Sequence, residues 1–367
     1  MDRPVLHTFV RELVELERLG ELVEALPTRA RVSEGALPVL LASLHEKLGR
    51  PLVCVLPEDA DARDAAEAVG WFLGEEQVGF MPSRGVRWES GLEPPPHLVG
   101  ERARALELLE AGGLVCASAL ALAELVPPPD VRPATLRIAP GEAPGIDALA
   151  QSLALAGYER VDRVEERGHF AVRGGIVDVF PTTGREPLRI ELFGDEIEGI
   201  RAFSPFTQRA LRDVDEALIY PAAERSGDLT DVTLRDDEKP TVPTDIVPIL
   251  DRPPDLVWQP DDVRKVWEDE GVEPLSFDGV AELDPLPQSQ QFSFDAQRPA
   301  LSARGLSEAE NELSGLLRQG LDVIVAFAHR GEAERQRHLV KRVEPAMEGM
   351  KGLVFAVAPA RRGFVWR

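Results

Sequence analysis

The alternation of apolar and polar residues between positions 166 and 203 constrains the fold more than any other feature of this chain. The stretch reads ERGHFAVRGGIVDVFPTTGREPLRIELFGDEIEGIRAF, and for much of its length every second residue is apolar. Because successive side chains of a strand point to opposite faces of its sheet, the pattern predicts three or four strands. Gly174 and Gly175 permit a bend, and Gly194 with Asp195 predicts a tight hairpin turn. No helix separates these strands, so we expect an antiparallel meander.

Two arginines and a phenylalanine fall on the side of this meander that should face water. In Leu188–Phe193 the leucines and the isoleucine share one face, which leaves Arg189 and Phe193 on the other. The same alternation places Arg173 on the outward face of the preceding strands. An aromatic ring beside arginines has the composition of a protein-binding hot spot. We therefore expect these side chains to be exposed in the free protein and buried only in a complex.

Two alternatives stay open from the residues alone. In the first, a loop of the same chain covers Phe193 and the arginines only solvate the sheet. In the second, the face stacks the bases of a single-stranded nucleic acid. Between His169 and Arg209 there are five arginines and six acidic residues, so this stretch offers no electrostatic funnel for nucleic acid.

The segment before the meander alternates between helical and strand-like patterns. Helices are predicted at 37–48, 60–73 and 101–110, and strands at 52–56, 78–81 and 114–117. Strands separated by helices form βαβ units, so the pattern predicts a doubly wound, mostly parallel sheet of the α/β class. We assign residues 1–127 to the first part of this domain, because the prolines at 127–129 break the pattern.

Three further regions complete the predicted organisation. Residues 128–213 form an α+β module that interrupts the first domain, with a long helix predicted over Ile146–Val164 and with Leu155 and Tyr158 facing inward. Residues 214–303 are rich in proline and acid, and we interpret them as a largely irregular return segment that packs on the first domain. Residues 304–367 contain a helix and a strand–helix–strand unit, which predicts a small α/β domain.

Composition excludes several classes of function. The net charge of −23 repels nucleic acid at long range. No apolar run approaches the ~18 residues of a membrane span, and charges interrupt the N-terminal apolar positions, unlike a signal peptide. We expect a cytoplasmic protein that does not contact a membrane. Cys54 and Cys116 lie in short apolar runs and predict core packing, not a metal site. We nominate no catalytic residue.

The motifs GHFAVRGGIVDVFP, PLRIELFGDEIEGIRAF and TQRAL resemble the UvrA-binding module shared by the excision-repair protein UvrB and the transcription-repair coupling factor Mfd. The rest of the chain resembles, more loosely, the UvrB-like N-terminal region of Mfd. The resemblance implies that Arg173, Arg189 and Phe193, and less strongly Arg201, bind UvrA. It also implies recruitment of UvrA to RNA polymerase that has stalled at DNA damage.

Two departures distinguish the chain from UvrB. A P-loop, G-x-x-x-x-G-K-[ST], cradles phosphates with its backbone amides, yet the equivalent stretch here, RVSEGALPVLLASLHEKLGRP, has a single glycine before the helix, and Lys47 lies near the helix end. The tyrosine-rich hairpin of UvrB also has no counterpart, since Tyr158 and Tyr220 are the only tyrosines. We therefore predict no enzyme activity and no cofactor for residues 1–367. A UvrB-type helicase fragment stays as the alternative.

The same resemblance implies that an ATP- and Mg-dependent DNA translocase motor lies beyond Arg367. The contacts with RNA polymerase and duplex DNA would also lie there.

Overall fold

The computed structural model describes residues 6–226, 245–249, 256–273, 281–284, 292–294, 306–327, 329–345 and 352–357. Its first part alternates helices and strands, as predicted. The helices are α1 (His7–Val14), α2 (Glu17–Glu24), α3 (Leu37–Leu48), α4 (Asp59–Leu73), α5 (Pro96–Glu110) and α6 (Ala119–Ala123). The strands are β1 (Arg29–Val32), β2 (Leu52–Leu56), β3 (Val78–Met81), β4 (Leu114–Ser118) and β5 (Leu125–Val126).

The next part is dominated by strands. It comprises β6 (Leu136–Ile138), α7 (Ile146–Leu155), β7 (Glu159–Arg160), β8 (His169–Arg173), β9 (Ile176–Val179), β10 (Leu188–Phe193), β11 (Glu196–Phe203), β12 (Ala210–Asp213) and β13 (Ala217–Ile219). A six-stranded sheet runs in the order β12-β11-β10-β9-β8-β7. Neighbouring strands from β8 to β12 are antiparallel, so the predicted meander is confirmed. We call this part of the chain the module.

Helix α7 is shorter than the sequence pattern suggested. It ends at Leu155 rather than near residue 164, and Leu155 is exposed. Gly157 adopts a positive φ of 86° just after the helix, and a Cβ there would lie 2.5 Å from the backbone nitrogen of Ala223. Only glycine fits this close approach, so the chain turns there. Tyr158 is buried as expected, and its hydroxyl donates to the Tyr220 carbonyl at 2.7 Å.

The remaining elements lie between residues 247 and 357. They are β14 (Val247–Pro248), β15 (Leu256–Trp258), α8 (Pro260–Glu270), β16 (Ala281–Asp284), β17 (Phe292–Phe294), α9 (Leu306–Arg318), β18 (Val323–Phe327), α10 (Arg330–Leu339) and β19 (Leu353–Val357). Strands β18 and β19 form a parallel pair, and Leu313 of α9 packs against Leu353 and Phe355 in a small core. This end of the chain is the small α/β unit that was predicted.

A seven-stranded parallel sheet organises the first part of the chain. Its order is β17-β1-β16-β15-β2-β4-β3. Three of these strands come from the return segment, so the prediction that this segment is largely irregular is wrong for its described residues. Each of the three has only three or four residues, too few for a periodic pattern to be visible in the sequence. The predicted domain boundaries themselves stay predictions.

Both faces of the parallel sheet are covered by helices. Cys54 and its alternate neighbours on β2 pack into a core shared with α1 to α4. Val53 and Val55 face the opposite core, together with Trp267 of α8. The Trp267 indole is fully buried, and its Nε1 donates to the Ala119 carbonyl at 2.6 Å. A parallel sheet enclosed on both faces is the predicted doubly wound architecture. Among the residues that the structure describes, no helix is both long and apolar enough to cross a membrane.

A cluster of two buried arginines and two glutamates joins the module to the parallel-sheet domain. Arg84 Nε lies 2.6 Å from Glu224 Oε2, and Arg102 Nη1 lies 2.9 Å from Glu124 Oε2. Arg102 Nε also approaches Glu224 Oε1 at 3.3 Å. Arg84, Arg102 and Glu124 belong to the parallel-sheet domain, whereas Glu224 follows the last strand of the module. Buried charges are tolerated when they are paired, so the cluster favours one relative placement of the two parts.

Helix α5 meets the module at a glycine. A Cβ added at Gly100 would lie 2.5 Å from the Cβ of Thr182, a residue of the loop that follows β9. The Thr182 side chain is fully buried and its hydroxyl donates to the Tyr220 carbonyl at 3.1 Å, so it has little freedom to move aside. The absence of a side chain at Gly100 therefore lets the helix and the loop pack closely.

We expect Gly100→Ala to lower the free energy of unfolding by about 1–3 kcal/mol through overpacking against Thr182. The matched control is Gly20→Ala in α2, where an added Cβ meets nothing within 4 Å. That change should be neutral or stabilising, because alanine favours a helix over glycine. Urea unfolding of both variants provides the measurement. If Gly100→Ala is as stable as Gly20→Ala, helix α5 and the module do not pack as described.

Candidate partner-binding surface

The six-stranded sheet has one buried face and one partly open face. Leu188, Ile190 and Leu192 of β10 are buried against α7, as the alternation predicted. The residues between them on β10 point to the opposite side, which we call the outer face. All four predicted partner-binding residues, which are Arg173, Arg189, Phe193 and Arg201, belong to strands of this sheet.

Part of the outer face carries a small core of its own. Ala171 of β8 and Phe180, the residue after β9, are buried together with Val164, and Val161 packs against them. The segment that contains both valines therefore covers the sheet over β8 and β9. The exposed part of the outer face lies over β10 to β12 and at the ends of β8 and β10.

Strand register brings five outer-face residues into one row. Arg189 lies directly between Asp178 on β9 and Arg201 on β11. Ala171 flanks Asp178, and Asp213 of β12 flanks Arg201. Side chains directly opposite each other on adjacent strands have Cβ atoms about 5 Å apart. The row therefore places two arginines and two carboxylates within reach of one another.

Phe193 ends β10 at the open tip of the sheet. It pairs with Glu196 across the hairpin, and Gly194 supplies the positive φ of 62° that the turn requires. The register with β11 shifts between Glu191 and Leu192, where the ladder contains an irregularity. The Phe193 side chain is 77% exposed. No loop among the described residues covers it, so those residues give no support to the first alternative.

Arg173 and Arg201 are also accessible from the outer face. Arg173 is exposed, and its Nη2 donates to the Asp162 carbonyl. Arg201 is about half exposed, and its guanidinium lies 3.3 Å from Glu191 Oε2 and 3.5 Å from Asp213 Oδ1. These are exposed ion pairs, which contribute little to stability and are readily exchanged for a partner's groups.

Arg189 differs from the expectation that it is exposed in the free protein. Its Nε and Nη2 donate to the two carboxylate oxygens of Asp178 at 2.7 and 2.8 Å. Its guanidinium carbon lies 4.7 Å from the ring centre of Phe203, which is buried. The hydrogen bonds to Asp178 raise the pKa of Arg189 above its ordinary value. Only 24% of the Arg189 side chain is exposed. Alternation in the sequence predicts which face of the sheet a residue occupies, but it does not predict which residue the neighbouring strand places beside it.

Sequence reasoning missed Asp178 and Phe203 as members of this surface. Asp178 is a carboxylate at the centre of the apolar run Ile176–Phe180, and it is buried. A charged residue inside such a run requires a partner when it is buried. The sequence could therefore have indicated that Asp178 pairs with a cation. The sequence does not identify that partner, because the register of β9 against β10 is set by the fold.

We expect Arg189→Ala to lower the free energy of unfolding by about 3 kcal/mol, because it leaves the Asp178 carboxylate buried without its cation. The double variant Asp178→Asn/Arg189→Ala should recover much of this loss, since it also removes the buried charge. Thermal or urea unfolding of the two variants provides the measurement. Equal stability of Arg189→Ala and the unmodified chain would show that the ion pair does not form.

Comparison with known proteins agrees with the resemblance seen in the sequence. Residues 136–224 match the family described as the UvrB interaction domain. The chain is 34% identical over 223 residues to the transcription-repair-coupling factor of Myxococcus xanthus, an alignment that covers 58% of this chain and 18% of the relative.

Two further relatives show the same pattern of partial coverage. The Bacillus subtilis coupling factor is 28% identical over 225 residues, covering 60% of this chain and 19% of the relative. The UvrABC system protein B of Thermosipho africanus is 26% identical over 230 residues, covering 59% of this chain and 34% of the relative. The matched region thus spans less than a fifth of the coupling factors. The roles of individual residues stay predictions.

Proposed function

We propose that this chain, which is similar to transcription-repair-coupling factors and contains a UvrB interaction domain, recruits UvrA through the outer face of its module. The observation that carries the proposal is Phe193, an aromatic ring 77% exposed at the tip of a sheet whose outer face carries three arginines. Exposed aromatic rings beside arginines are typical of binding hot spots. The recruitment would couple repair to transcription, as the names of the coupling-factor relatives suggest, and we propose that it takes place in the cytoplasm.

The size of the patch suits the centre of such an interface. Phe193 lies about 13 Å along β10 from Arg189, and Arg173 lies about 10 Å across the sheet from β10. A specific interface buries about 800 Å² on each partner. The four residues would form its centre, and the surrounding strands would form its rim.

The charge of the face suits an acidic partner surface more than a nucleic acid. Arg201 and Arg189 are each accompanied by carboxylates of the same chain, so the face offers directed hydrogen-bond donors rather than a strong positive field. Nucleic-acid binding depends on net positive charge along a groove. The face therefore favours protein recognition.

We expect Phe193→Ala to weaken UvrA binding by roughly 2 kcal/mol or more, which is about thirtyfold or more in Kd. Stability should change by less than ~0.5 kcal/mol, because little burial within the chain is lost. The measurements are a UvrA titration and a melting curve for each variant.

Two controls accompany this experiment. Phe206→Ala removes a ring that is 89% exposed in the turn after β11, and it should leave UvrA affinity unchanged. Leu192→Ala, on the buried face, should cost about 2–5 kcal/mol of stability through a core cavity. If Phe193→Ala binds UvrA as tightly as Phe206→Ala does, the proposed face is not the binding site.

We also propose that residues 1–367 carry no nucleotide chemistry. Several backbone amides of the loop between β1 and α3 already have partners, because Ser33 N donates to the Phe294 carbonyl at 3.1 Å and Ala36 N to the Ser33 carbonyl at 2.9 Å. Pro38 supplies no amide hydrogen in the first turn of α3. Lys47 lies in the last turn of α3, where its Nζ donates to the Val14 carbonyl at 3.1 Å. A motor, with contacts to RNA polymerase and duplex DNA, would belong to other parts of a longer protein.

Calorimetric titration with ATP and Mg²⁺ is expected to show no saturable binding in the micromolar range, because the loop offers few free amides to a phosphate. The same preparation should bind UvrA, which establishes that it is folded and active. Saturable ATP binding would favour the UvrB-type alternative.

A further inference from the structure

We propose that Asp178 is a positioning residue for partner recognition, which holds Arg189 so that its outer N–H groups receive a carboxylate from the partner. The inference rests on the proposed function and deepens it, because it specifies the chemistry that UvrA must present to this point of the face.

The geometry of the pair determines which donors of Arg189 are already used. A guanidinium holds its N–H donors in a rigid planar fork. Asp178 occupies the side of the fork formed by Nε and one hydrogen of Nη2. The other side, formed by Nη1 and the second Nη2 hydrogen, receives no hydrogen bond from the described residues. A carboxylate matches that pair of parallel donors, whereas a single carbonyl satisfies only one of them.

The surroundings of the pair prevent Arg189 from turning toward solvent by itself. Asp178 is only 3% exposed and lies in the centre of the sheet between β8 and β10. The guanidinium also lies over the buried Phe203 ring. Swinging Arg189 outward would leave the Asp178 carboxylate buried without its cation, which is costly. The side chain is therefore ordered before the partner arrives, and binding need not pay for that ordering.

Asp178 cannot itself contact a partner, because it is almost fully buried beside Arg189. Any effect of Asp178 on binding must therefore act through Arg189 or through the fold. Whether loss of the Asp178 charge strengthens or weakens UvrA binding distinguishes a positioning role from a general electrostatic effect. Removing a negative charge from this face should strengthen the attraction of an acidic partner, whereas loss of positioning should weaken binding.

The test compares Asp178→Asn with Glu191→Gln. Both changes remove one carboxylate charge from the outer face while keeping the size of the side chain. Glu191 Oε2 lies 3.3 Å from Arg201 Nη2. Among the described residues, no hydrogen bond joins Glu191 to Arg189. In a UvrA titration, Asp178→Asn should weaken binding about tenfold, as expected for one disordered charge-assisted contact. Glu191→Gln should bind as tightly as the unmodified chain or more tightly.

A double-mutant cycle with Arg189→Ala tests whether Asp178 affects UvrA binding through Arg189. If Asp178 acts through Arg189, then adding Asp178→Asn to Arg189→Ala changes UvrA affinity no further. A further loss of affinity in that background would show that Asp178 only maintains the sheet, and would overturn the inference. All variants are titrated below their melting temperatures, so that a difference in stability does not enter the affinity.

A second measurement on the free chain does not depend on UvrA. In ¹⁵N-labelled protein, the Nε–H signal of Arg189 should be sharp and protected from exchange, and Asp178→Asn should abolish that protection. Protection that survives in Asp178→Asn would overturn the inference.

The outcomes also separate the inference from the proposed function. If the unmodified chain does not bind UvrA, or if Phe193→Ala binds normally, the proposed function fails and the inference fails with it. If Phe193→Ala weakens binding while Asp178→Asn binds like the unmodified chain, only the inference fails.

Discussion

Two buried arginines pair with two glutamates where the module meets the parallel-sheet domain, and these pairs favour one arrangement of the two parts of the chain. Arg84 follows β3, Arg102 lies on α5 and Glu124 follows α6, whereas Glu224 follows the last strand of the module. Burial of charges is costly unless each finds a partner of opposite sign. Through Arg102, the cluster holds Glu124, before the module, close to Glu224, after its last strand. The chain then supplies β15, β16 and β17 to the parallel sheet.

This arrangement decides which surface of the module is left for a partner. Helix α7 covers one face of the antiparallel sheet, and the segment around Val161 and Val164 covers part of the other. Helix α5 and the loop that contains Thr182 occupy the side next to the parallel-sheet domain. What is left is the tip with Phe193 and the strip over β10 to β12. The module therefore presents Arg173, Arg189, Arg201 and Phe193 on its outer face.

Arginine–carboxylate ion pairs occur both at the junction and on the outer face, with different consequences. At the junction both arginines are almost fully buried, so they are not accessible to a partner. On the outer face Arg189 is paired on one side with buried Asp178 and is accessible on the other. A half-open ion pair keeps a guanidinium ordered while leaving donors for a second acceptor. Exposed pairs such as Arg201 with Glu191 lack this order, so the Arg201 side chain can rearrange more readily when a partner binds.

The sequence by itself determined the class of the fold and the face of the candidate site. Alternation predicted the meander and the outward side of Phe193, and the helix–strand pattern predicted the parallel sheet, because both signals are local and repeat along the chain. Tertiary structure alone decided three further features. The short strands of the return segment have too few residues to show a periodic pattern. The chain turns after α7 at Gly157, where it passes close to Ala223. Arg189 pairs with Asp178 because strand register placed them side by side, and register depends on packing between distant segments rather than on any local pattern.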